Sequence, residues 1–394
     1  MAIPREAVIV GACRTPIGSF GGSLSSFTAP QLGAIVIREA LRRSNADPKS
    51  VDEVIMGCVL TAGVGQAPAR QAAIFSGLPE SVQTMTVNKV CGSGLKAAML
   101  GAQAIMLADA DVVVAGGMES MSNTPYLLDK ARTGYRMGHG SVIDSMIKDG
   151  LWDVYDDFHM GNAAELCAKN CQVSREAQDE FSVTSYKRAL EAQQNGYFKD
   201  EIVPVEVQQK KGDPLRIWED EEPGKVKFDR IGTLRPAFLK DGTVTAANAS
   251  KINDGAAALV LMSGEKASAL NIPVMATIRA FGSTARKPVE FTTAPADVIP
   301  KVLKKAGLAQ GDIDLFEVNE AFAVVNLAVN KILAIDPAKL NVHGGAVALG
   351  HPIGASGARI LVTLLYALRR HGKKRGMAAI CIGGGEASGM IIER

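Results

Sequence analysis

Short apolar runs alternate with helical stretches near both ends of the chain. Residues 8–10, 53–59 and 112–115 have the apolar content of buried strands, and residues 30–44 indicate a helix between the first two. Strands that alternate with helices are typical of layered α/β proteins, in which a helix crosses over between neighbouring parallel strands. The pattern therefore predicts an α/β fold with a largely parallel sheet.

A helix start, a strand, a glycine cluster and a glutamate follow one another in the same order in two distant parts of the chain. The first copy consists of Gly94, the strand 112–115, the glycines 116–117 and Glu119, and the second of Gly357, the strand 379–382, the glycines 383–385 and Glu386. Glycines at strand ends are common in turns, but the shared order of four features is more specific. We therefore predict two copies of one α/β unit.

The stretch between the two copies, roughly residues 121–250, has a different character. It contains both tryptophans, the acidic run 218–222 and irregular segments rich in Gly, Pro and Asp, with a helix predicted at 175–195. Long polar segments on a scaffold commonly carry or cover binding sites. We expect an inserted, more polar subdomain that covers a site.

The charge balance argues against several classes of partner. The 394 residues contain 43 Lys and Arg against 41 Asp and Glu, so no overall charge favours nucleic acid or an anionic membrane surface. Asp109 and Asp111 interrupt the most apolar stretch, and no segment is predicted to span a bilayer. The chain enters a strand at once, with no targeting segment visible, so we expect a cytoplasmic protein.

The cysteines do not form a recognisable framework. They lie at positions 13, 58, 91, 167, 171 and 381, without a C-x-x-C pair, so we expect no structural disulfide. Cys167 and Cys171 are one helical turn apart, but no histidine follows at a zinc-binding spacing. We expect these two side chains to pack in the interior, and we predict no metal site.

The segment 85–98 contains the first candidate for catalysis. A predicted strand at 85–90 ends at Cys91, passes through Gly92-Ser93-Gly94 and becomes a helix. The free N–H groups and the positive end of the helix dipole stabilise a thiolate at this place, and the glycines leave room for a substrate to approach the sulfur. The alternative is a cysteine that packs as a small buried hydrophobe.

Three further segments have catalytic residue types at element ends. His343 and His351 lie in the glycine-dense loop 341–357, where a neutral imidazole accepts a thiol proton or polarises a carbonyl; for His343 we expect backbone hydrogen bonds instead. Cys381 ends a predicted strand before three glycines, a place where α/β sheets present ligand contacts, although core packing is the alternative. Asn319 follows the strand 315–318 and can hold a water or donate to an oxyanion, and Glu320 beside it can be a helix N-terminal charge.

Taken together, the motifs Cys91-Gly92-Ser93-Gly94, 319–322, 350–354 and 381–385 resemble those of the thiolase family, over essentially the whole chain. The resemblance implies an α/β thiolase fold, with two duplicated halves in five αβαβα layers and an inserted loop domain. The implied boundaries are 1–120 plus 251–272 for the N-terminal half, 121–250 for the loop domain and 273–394 for the C-terminal half. It also implies a homo-oligomer, which we expect to be a homotetramer.

The same resemblance implies a role for each motif residue. Cys91 is the implied acyl-accepting nucleophile, and His351 activates it. Cys381 moves a proton to and from the α-carbon of the second acyl group, while Asn319 positions a water that, with His351, stabilises the enolate oxygen. The N–H groups of Cys91 and Gly383 form the other oxyanion hole. Two sulfurs are needed because one stays esterified while the other transfers a proton.

The segment 155–161, with His159-Met160-Gly161, resembles the short-chain thiolases, in which the histidine contacts coenzyme A and the methionine closes the acyl pocket. Gly92 has the same implication, because long-chain relatives commonly have serine there. Further residues match positions that line the pantetheine channel of this group: Leu151, Phe238, Ala246, Ser250, Ala321 and Phe322. The implied reaction interconverts two acetyl-CoA with acetoacetyl-CoA and CoA, so that coenzyme A and acetyl-CoA are substrates and no cofactor is permanently bound.

Several alternatives remain open from the sequence. Phe291 resembles the residue of mitochondrial-type enzymes that accept 2-methyl branches, which suggests a 2-methylacetoacetyl-CoA thiolase, and a broader 3-ketoacyl-CoA thiolase of β-oxidation is another candidate. Those mitochondrial-type enzymes also bind potassium, but Pro223 replaces the expected tyrosine, so we predict no ion. A non-catalytic acyl-CoA binder and a decarboxylating ketosynthase are disfavoured by the cysteine pair and Asn319.

Overall fold

A computed structural model describes residues 5–394. The strands are β1 Ala7–Arg14, β2 Gly18–Ser19, β3 Glu53–Gly57, β4 Gln83–Val87, β5 Val112–Ser120, β6 Tyr126–Leu127, β7 Ile143–Asp144, β8 Trp152–Asp153, β9 Phe158–His159, β10 Val205–Val207, β11 Leu215–Ile217, β12 Asn253–Ser263, β13 Ala276–Ala285, β14 Leu315–Val318, β15 Arg375–Ile382 and β16 Glu386–Glu393. The helices are α1 Ala29–Ser44, α2 Pro68–Phe75, α3 Ser93–Met106, α4 Met160–Asn170, α5 Arg175–Gln194, α6 Gly264–Ala269, α7 Pro295–Ala306, α8 Ala323–Leu333, α9 Ala346–Leu349 and α10 Ile353–Arg370.

The main sheet is mixed, so the prediction of a largely parallel sheet is wrong. Its strands follow the order β14-β15-β16-β13-β1-β12-β5-β3-β4, with β2 beside β12. Only β14 with β15, β3 with β5 and β3 with β4 pair in parallel, and the other neighbours are antiparallel. The error has a local cause, because β16 follows β15 after a short turn, and a turn of this length joins only antiparallel strands.

The sheet contains the predicted duplication. The series β1-β12-β5-β3 in one half corresponds to β13-β16-β15-β14 in the other, with the same parallel and antiparallel pairings. The halves meet where β1 pairs with β13, at Val8 opposite Thr277 and Ile9 opposite Ala276. The repeated succession of helix, strand and glycines corresponds to α3–β5 and α10–β15, which confirms two copies of one α/β unit.

The helices complete five layers. The buried apolar side chains of α1 and α2 pack on one side of the first half, those of α7 and α8 pack on the outer side of the second, and α3 and α10 share the core between the halves. α3 and α10 approach closely because Gly94 faces the other helix: a Cβ added there would lie 2.8 Å from the Ala358 nitrogen. The close packing sets the N-terminal ends of both central helices side by side.

The segment between β5 and β12 contains the three two-stranded ribbons β6–β7, β8–β9 and β10–β11 and the helices α4 and α5. α4 packs against α8, and α5 packs against α8 and α9, so this segment lies on the second half of the molecule. The domain boundaries given above stay a prediction. Over residues 5–394 the structure shows no helix with the length and apolar character needed to cross a membrane.

Candidate active site

A cavity of about 270 Å³ opens at the N-terminal ends of the two central helices. Three of the predicted catalytic residues line it, Cys91, His351 and Gly383. Most of the predicted coenzyme A contacts line it as well: Leu151, His159, Met160, Phe238, Ser250, Ala321 and Phe322. Four distant motifs of the chain therefore come together around one apolar cavity.

Three predicted residues lie outside this lining. Ala246 belongs to a neighbouring cavity, which shares Phe238 and Ser250 with the first. Asn319 and Cys381 are each 1% exposed, and they lie in the interior at the ends of β14 and β15. Asn319 and Cys381 therefore lie in the protein interior, outside the set of residues that line the cavity.

Cys91 lies in a tight turn between β4 and α3. The strand ends at Val87, three residues earlier than predicted, and Val90 has a φ of 45°, which is unusual for a β-branched residue. Ser93 Oγ holds the turn, because it accepts from the Lys89 N–H at 2.8 Å and donates to the Val90 carbonyl at 2.6 Å. The strained turn presents the Cys91 side chain to the cavity.

The resting sulfur is a thiol. Burial raises the pKa of Cys91 to about 11, although the N–H groups of Gly383 and of Cys91 itself act in the opposite direction. Desolvation therefore outweighs the favourable dipoles of the helix N-terminus in the resting protein. A base is needed to take the proton when a substrate arrives.

The glycines around Cys91 make room for protein atoms, and their expected role in the approach of a substrate stays a prediction. A Cβ on Gly92 would lie 2.9 Å from Ile382 Cγ1, and Gly94 faces Ala358 as described above. The turn therefore packs directly on the end of β15. This contact brings the Cys91 loop next to the loop that contains Gly383.

The second cysteine is close to the first. Burial raises the pKa of Cys381 well above its ordinary value, and a negative charge on the nearby Cys91 sulfur would raise it further. The ion pair of Lys89 with Glu386 also connects the two loops. Lys89 lies two residues before Cys91, and Glu386 lies three residues after Gly383. The two sulfurs and the Gly383 N–H therefore belong to one small polar cluster at the base of the cavity.

His351 lies between α9 and α10 and is buried. Its backbone N–H donates to Asn253 Oδ1 at 2.9 Å, and its ring nitrogen Nδ1 is 2.6 Å from Ser356 Oγ. Nε2 has no hydrogen-bond partner within the described residues. Burial, assisted by the positive charge of Arg359, lowers the pKa of the imidazole to about 3. At neutral pH the ring is therefore an uncharged base that faces the cavity.

Asn319 is oriented by Arg359. The guanidinium donates through Nη2 to Asn319 Oδ1 at 3.4 Å, and its Nη1 lies 3.7 Å from Glu317. The amide nitrogen Nδ2 of Asn319 finds no partner among residues 5–394. Because the amide oxygen faces Arg359, the side chain has its donor end available for another group.

Two expectations about neighbouring residues are wrong. Glu320 is no helix N-terminal charge: α8 begins at Ala323, and the buried carboxylate accepts from Ser185 Oγ at 2.7 Å and Asn341 Nδ2 at 2.8 Å. His343 makes a side-chain contact where backbone bonds were expected, since its Nε2 is 3.2 Å from the Nε2 of His371. Both side chains are held by parts of the chain that are far apart in sequence.

The coenzyme A candidates form an aromatic group at the rim. His159 Nδ1 accepts from the Gly161 N–H at 3.0 Å, which leaves Nε2 as the donor of the neutral ring, and burial lowers its pKa. The ring stacks on Phe238 at 4.8 Å between centroids, and Phe238 meets Phe322 edge to face at 6.2 Å. These rings give the rim an apolar wall with one polar tip.

The sequence interpretation missed Glu119, Ser356 and Lys251. Glu119 is fully buried at the end of β5, and its carboxylate accepts the N–H groups of Leu60 at 3.2 Å and Gly354 at 2.8 Å. Burial raises the pKa of Glu119 to about 7. The sequence signal for Glu119 was the repeat, in which Glu119 corresponds to Glu386. Ser356 and Lys251 are recognisable only from their contacts in the folded chain.

The cysteines are also candidates for disulfides and metal ligands. All six cysteines are free thiols, and the sulfurs of Cys167 and Cys171 are 3.9 Å apart on α4 and its C-terminal cap. Within residues 5–394, no group of three or more His, Cys, Asp or Glu side chains is arranged to hold a metal ion.

Comparison with known proteins gives relatives over the full chain. Acetyl-CoA acetyltransferase 2 of Arabidopsis thaliana is 56% identical over 393 residues, which is 99% of this chain and 97% of the relative. An acetyl-CoA acetyltransferase of Pseudomonas aeruginosa is 52% identical over 391 residues, 99% of this chain and 100% of the relative. The crystal structure of the Bacillus anthracis acetyl-CoA acetyltransferase matches with a TM-score of 0.97 at 41% identity and covers 100% of both chains.

Family profiles cover both halves of the molecule. The thiolase N-terminal domain matches residues 7–265, and the thiolase C-terminal domain matches residues 272–394. The two matches follow the two α/β copies of the fold and include all four motifs of the cavity. With relatives above 50% identity over the whole length, the chain belongs to the thiolase family.

Proposed function

We propose that this protein is an acetyl-CoA C-acetyltransferase, which condenses two acetyl-CoA molecules to acetoacetyl-CoA and CoA and catalyses the reverse thiolysis. The observation that carries the proposal is the meeting of Cys91, His351 and the Gly383 N–H in one apolar cavity, with Cys381 beside them. The names of the full-length relatives support the same activity. Acyl-CoA is the class of partner that this mechanism requires.

In the first half-reaction, His351 Nε2 takes the proton of the Cys91 thiol. The sulfur attacks the thioester carbonyl of acetyl-CoA, the N–H groups of Cys91 and Gly383 stabilise the oxyanion, and CoA leaves with a proton from His351. The high pKa of Cys91, about 11, and the low pKa of His351, about 3, are consistent with a neutral resting pair. The product of this step is acetyl-Cys91.

In the second half-reaction, His351 takes the proton of the Cys381 thiol, and the Cys381 thiolate removes a proton from the methyl group of the second acetyl-CoA. Asn319 holds a water that, with the protonated His351, stabilises the enolate oxygen, and the enolate carbon attacks acetyl-Cys91 to form the new C–C bond. The Cys91 thiolate leaves and takes the proton from His351. The free Nδ2 of Asn319 and the closeness of the two thiols support this division of roles.

Coenzyme A is proposed to pass along the rim, past the eight candidate contacts described above. His159 offers its Nε2–H, whereas Phe238 and Phe322 offer apolar faces to the pantetheine chain. Met160 lies between the rim and Gly383, since a Cβ on Gly383 would be 3.5 Å from Met160 Sδ. A side chain at this place limits the length of acyl group that reaches Cys91.

The proposed function is tested by mass spectrometry after the protein is mixed with acetoacetyl-CoA. We expect one acetyl group on the peptide that contains Cys91, and none at that peptide in Cys91→Ala. Cys171→Ala is the matched control, because Cys171 is partly exposed yet outside the cavity lining, and it retains the adduct. An acetylated protein in the Cys91→Ala variant contradicts the proposal.

A 2-methylacetoacetyl-CoA thiolase is a second candidate, because Phe291 lines the cavity. A substrate panel of acetoacetyl-CoA, its 2-methyl derivative and a C8 ketoacyl-CoA separates the candidates. Fast thiolysis of the 2-methyl substrate favours the second candidate, and comparable rates for C4 and C8 favour a broader 3-ketoacyl-CoA thiolase. We expect the C4 substrate to be cleaved fastest, because Met160 limits the space beside Cys91.

We also propose a homotetramer. The edge of β4 has no strand partner within residues 5–394, and Met85 on it is 45% exposed, as is expected of a surface that pairs with a second copy. The ribbon β6–β7 and its connecting loop form a second exposed apolar surface. Met137 in the loop is fully exposed, and Tyr126 on β6 is 65% exposed. Light scattering of the wild type and of Met137→Asp tests this, with a dimer expected for the variant. A cytoplasmic location stays a prediction.

A further inference from the structure

Lys251 is a basic residue in the wall of the cavity that the proposed reaction does not use. Its side chain lines the cavity around Cys91 and also the neighbouring cavity around Ala246. It directly follows Ser250, a proposed coenzyme A contact, and precedes β12 by two residues. A charge at such a place is stable only if groups of the wall compensate it, because burial of an isolated charge is costly.

The Lys251 ammonium is held by two carbonyl oxygens and an aromatic face. Nζ donates to the Ala249 oxygen at 2.9 Å and to the Val347 oxygen at 3.4 Å, and it lies 5.6 Å from the ring centroid of Tyr186. Burial lowers the pKa of this amine to about 8, and the charge of Glu222 acts in the opposite direction. At pH 7 the group is therefore mostly protonated, and its charge faces the carbonyl dipoles and the π face.

These contacts join two segments of the proposed site. Ala249 belongs to the loop 245–250 that contains the coenzyme A candidates Ala246 and Ser250, and Val347 belongs to α9, the short helix that leads to His351. Asn253, two residues after Lys251, accepts the N–H of His351 at 2.9 Å. The Lys251 and Asn253 side chains therefore hold the segment 347–351 near both of its ends.

We propose that Lys251 is a positioning residue. Its ammonium group holds the loop 245–250 against α9, and so keeps His351 in a fixed position relative to the coenzyme A contacts. Lys251 has this role only if the cavity binds acyl-CoA as proposed above. Removal of the side chain leaves the two carbonyl oxygens and the Tyr186 face behind. A small ammonium ion has the donors and the charge to take the vacated position.

The first test compares Lys251→Ala with Lys187→Ala. Lys187 is the matched control, because it neighbours Tyr186 on α5 but is exposed and lies outside both cavities. We expect Lys251→Ala to raise the KM for acyl-CoA about tenfold, with a smaller loss in kcat. Ammonium chloride restores much of this loss, compared with sodium chloride at the same ionic strength, whereas Lys187→Ala behaves as the wild type in both salts.

A second readout requires no substrate, so a failure of the proposed function leaves it intact. Ammonium chloride is expected to raise the Tm of Lys251→Ala above its value in sodium chloride, and to leave the Tm of the wild type equal in both salts. Lys251→Met retains an apolar stem without the charge, and we expect it to be impaired without rescue, because its side chain fills the vacated position. Wild-type kinetics in Lys251→Met, or a Lys251→Ala protein with equal Tm and kinetics in both salts, overturns the proposal. If Lys251→Ala does not fold, the kinetics of Lys251→Met decide alone.

Discussion

The hydroxyl of Ser356 lies 2.6 Å from His351 Nδ1 and donates its proton to the carbonyl oxygen of Pro352 at 2.8 Å. A hydroxyl has only one proton to give, so toward the imidazole it accepts, and the hydrogen of the neutral ring resides on Nδ1. The lone pair of Nε2 is then free, since Nε2 has no hydrogen-bond partner within residues 5–394. Ser356 thereby selects the tautomer that the proposed base requires.

Replacement of Ser356 by alanine is expected to lower kcat about 10–100-fold, which is less than the roughly 10²–10⁴-fold that a positioned general base contributes as a whole. The reason is that Nδ1 loses its acceptor, so the ring is free to rotate and to exchange its tautomer. Steady-state kinetics measure the effect. The control is Ser388→Ala, a buried serine whose hydroxyl pairs with Ser283 Oγ at 2.9 Å. An unchanged kcat in Ser356→Ala contradicts the tautomer assignment.

The uncharged resting state of Cys91 and His351 predicts a simple pH dependence for the alkylation of Cys91. Because the pKa of Cys91 is about 11, the thiolate fraction below that value rises tenfold with each pH unit. The rate of iodoacetamide modification is therefore expected to rise about tenfold per unit across roughly pH 7–9. The Cys91 peptide is followed by mass spectrometry, since Cys171 is also partly exposed. A rate that is constant above neutral pH indicates a thiolate–imidazolium pair and contradicts the neutral state.

The sequence predicted those features that depend on local order along the chain. The duplicated unit was visible because Gly94 and Gly357 each begin a helix that leads to a strand and a glycine cluster. Cys91 and Gly383 were predictable because each of them follows the end of a strand, where α/β folds place ligand contacts. The family resemblance then related four motifs that lie far apart in the sequence.

The features that the sequence did not predict depend on contacts between distant segments. The antiparallel direction of β12 follows from its neighbours in the sheet, and apolar runs look alike in either direction. The neutral Cys91 results from burial by several motifs at once, which outweighs the local effect of the helix N-terminus. Likewise, Lys251 contacts Val347, which is 96 residues away. Desolvation and side-chain partners of this kind require the folded chain.

The proposed division between the two sulfurs predicts separate losses. Cys381→Ala is expected to form acetyl-Cys91 from acetyl-CoA, while condensation falls at least about 10²-fold, since a positioned general base contributes roughly 10²–10⁴-fold. Adduct mass and acetoacetyl-CoA formation measure the two steps on one sample. Cys13→Ala is a matched buried control, because Cys13 lies in β1 and donates to the Val36 carbonyl, away from the cavity lining. Condensation near the wild-type rate in Cys381→Ala contradicts the assigned role.

The ion pair of Lys89 with Glu386 is expected to affect catalysis more than stability. Both side chains are partly exposed, at 23% and 36%, so the pair contributes at most about 1 kcal/mol to the free energy of unfolding. It nevertheless connects the loop before Cys91 with the loop after Gly383, whose N–H groups are proposed to hold one oxyanion. Lys89→Met and Glu386→Gln should each lower kcat several-fold, and the double variant should be no worse than either single variant. Additive losses in this double-mutant cycle show that the two residues act independently.

The Ile382 side chain leaves no room for a Cβ at position 92, and this predicts a compensating pair of substitutions. In Gly92→Ala the new Cβ would lie 2.9 Å from Ile382 Cγ1 and closer still to Cδ1, so we expect a loss of about 1–3 kcal/mol in the free energy of unfolding. Ile382→Val removes the Cδ1 methyl and alone costs about 0.5–1.5 kcal/mol.

The double variant should therefore be more stable than the sum of the single losses predicts, because the removed methyl is the atom that the new one meets. Urea unfolding of the four proteins measures the coupling. Gly311→Ala is the control, since no atom lies within 4 Å of its added Cβ, and it should show no coupling with Ile382→Val. If the losses of Gly92→Ala and Ile382→Val add, the glycine has another cause, such as the path of the substrate to Cys91.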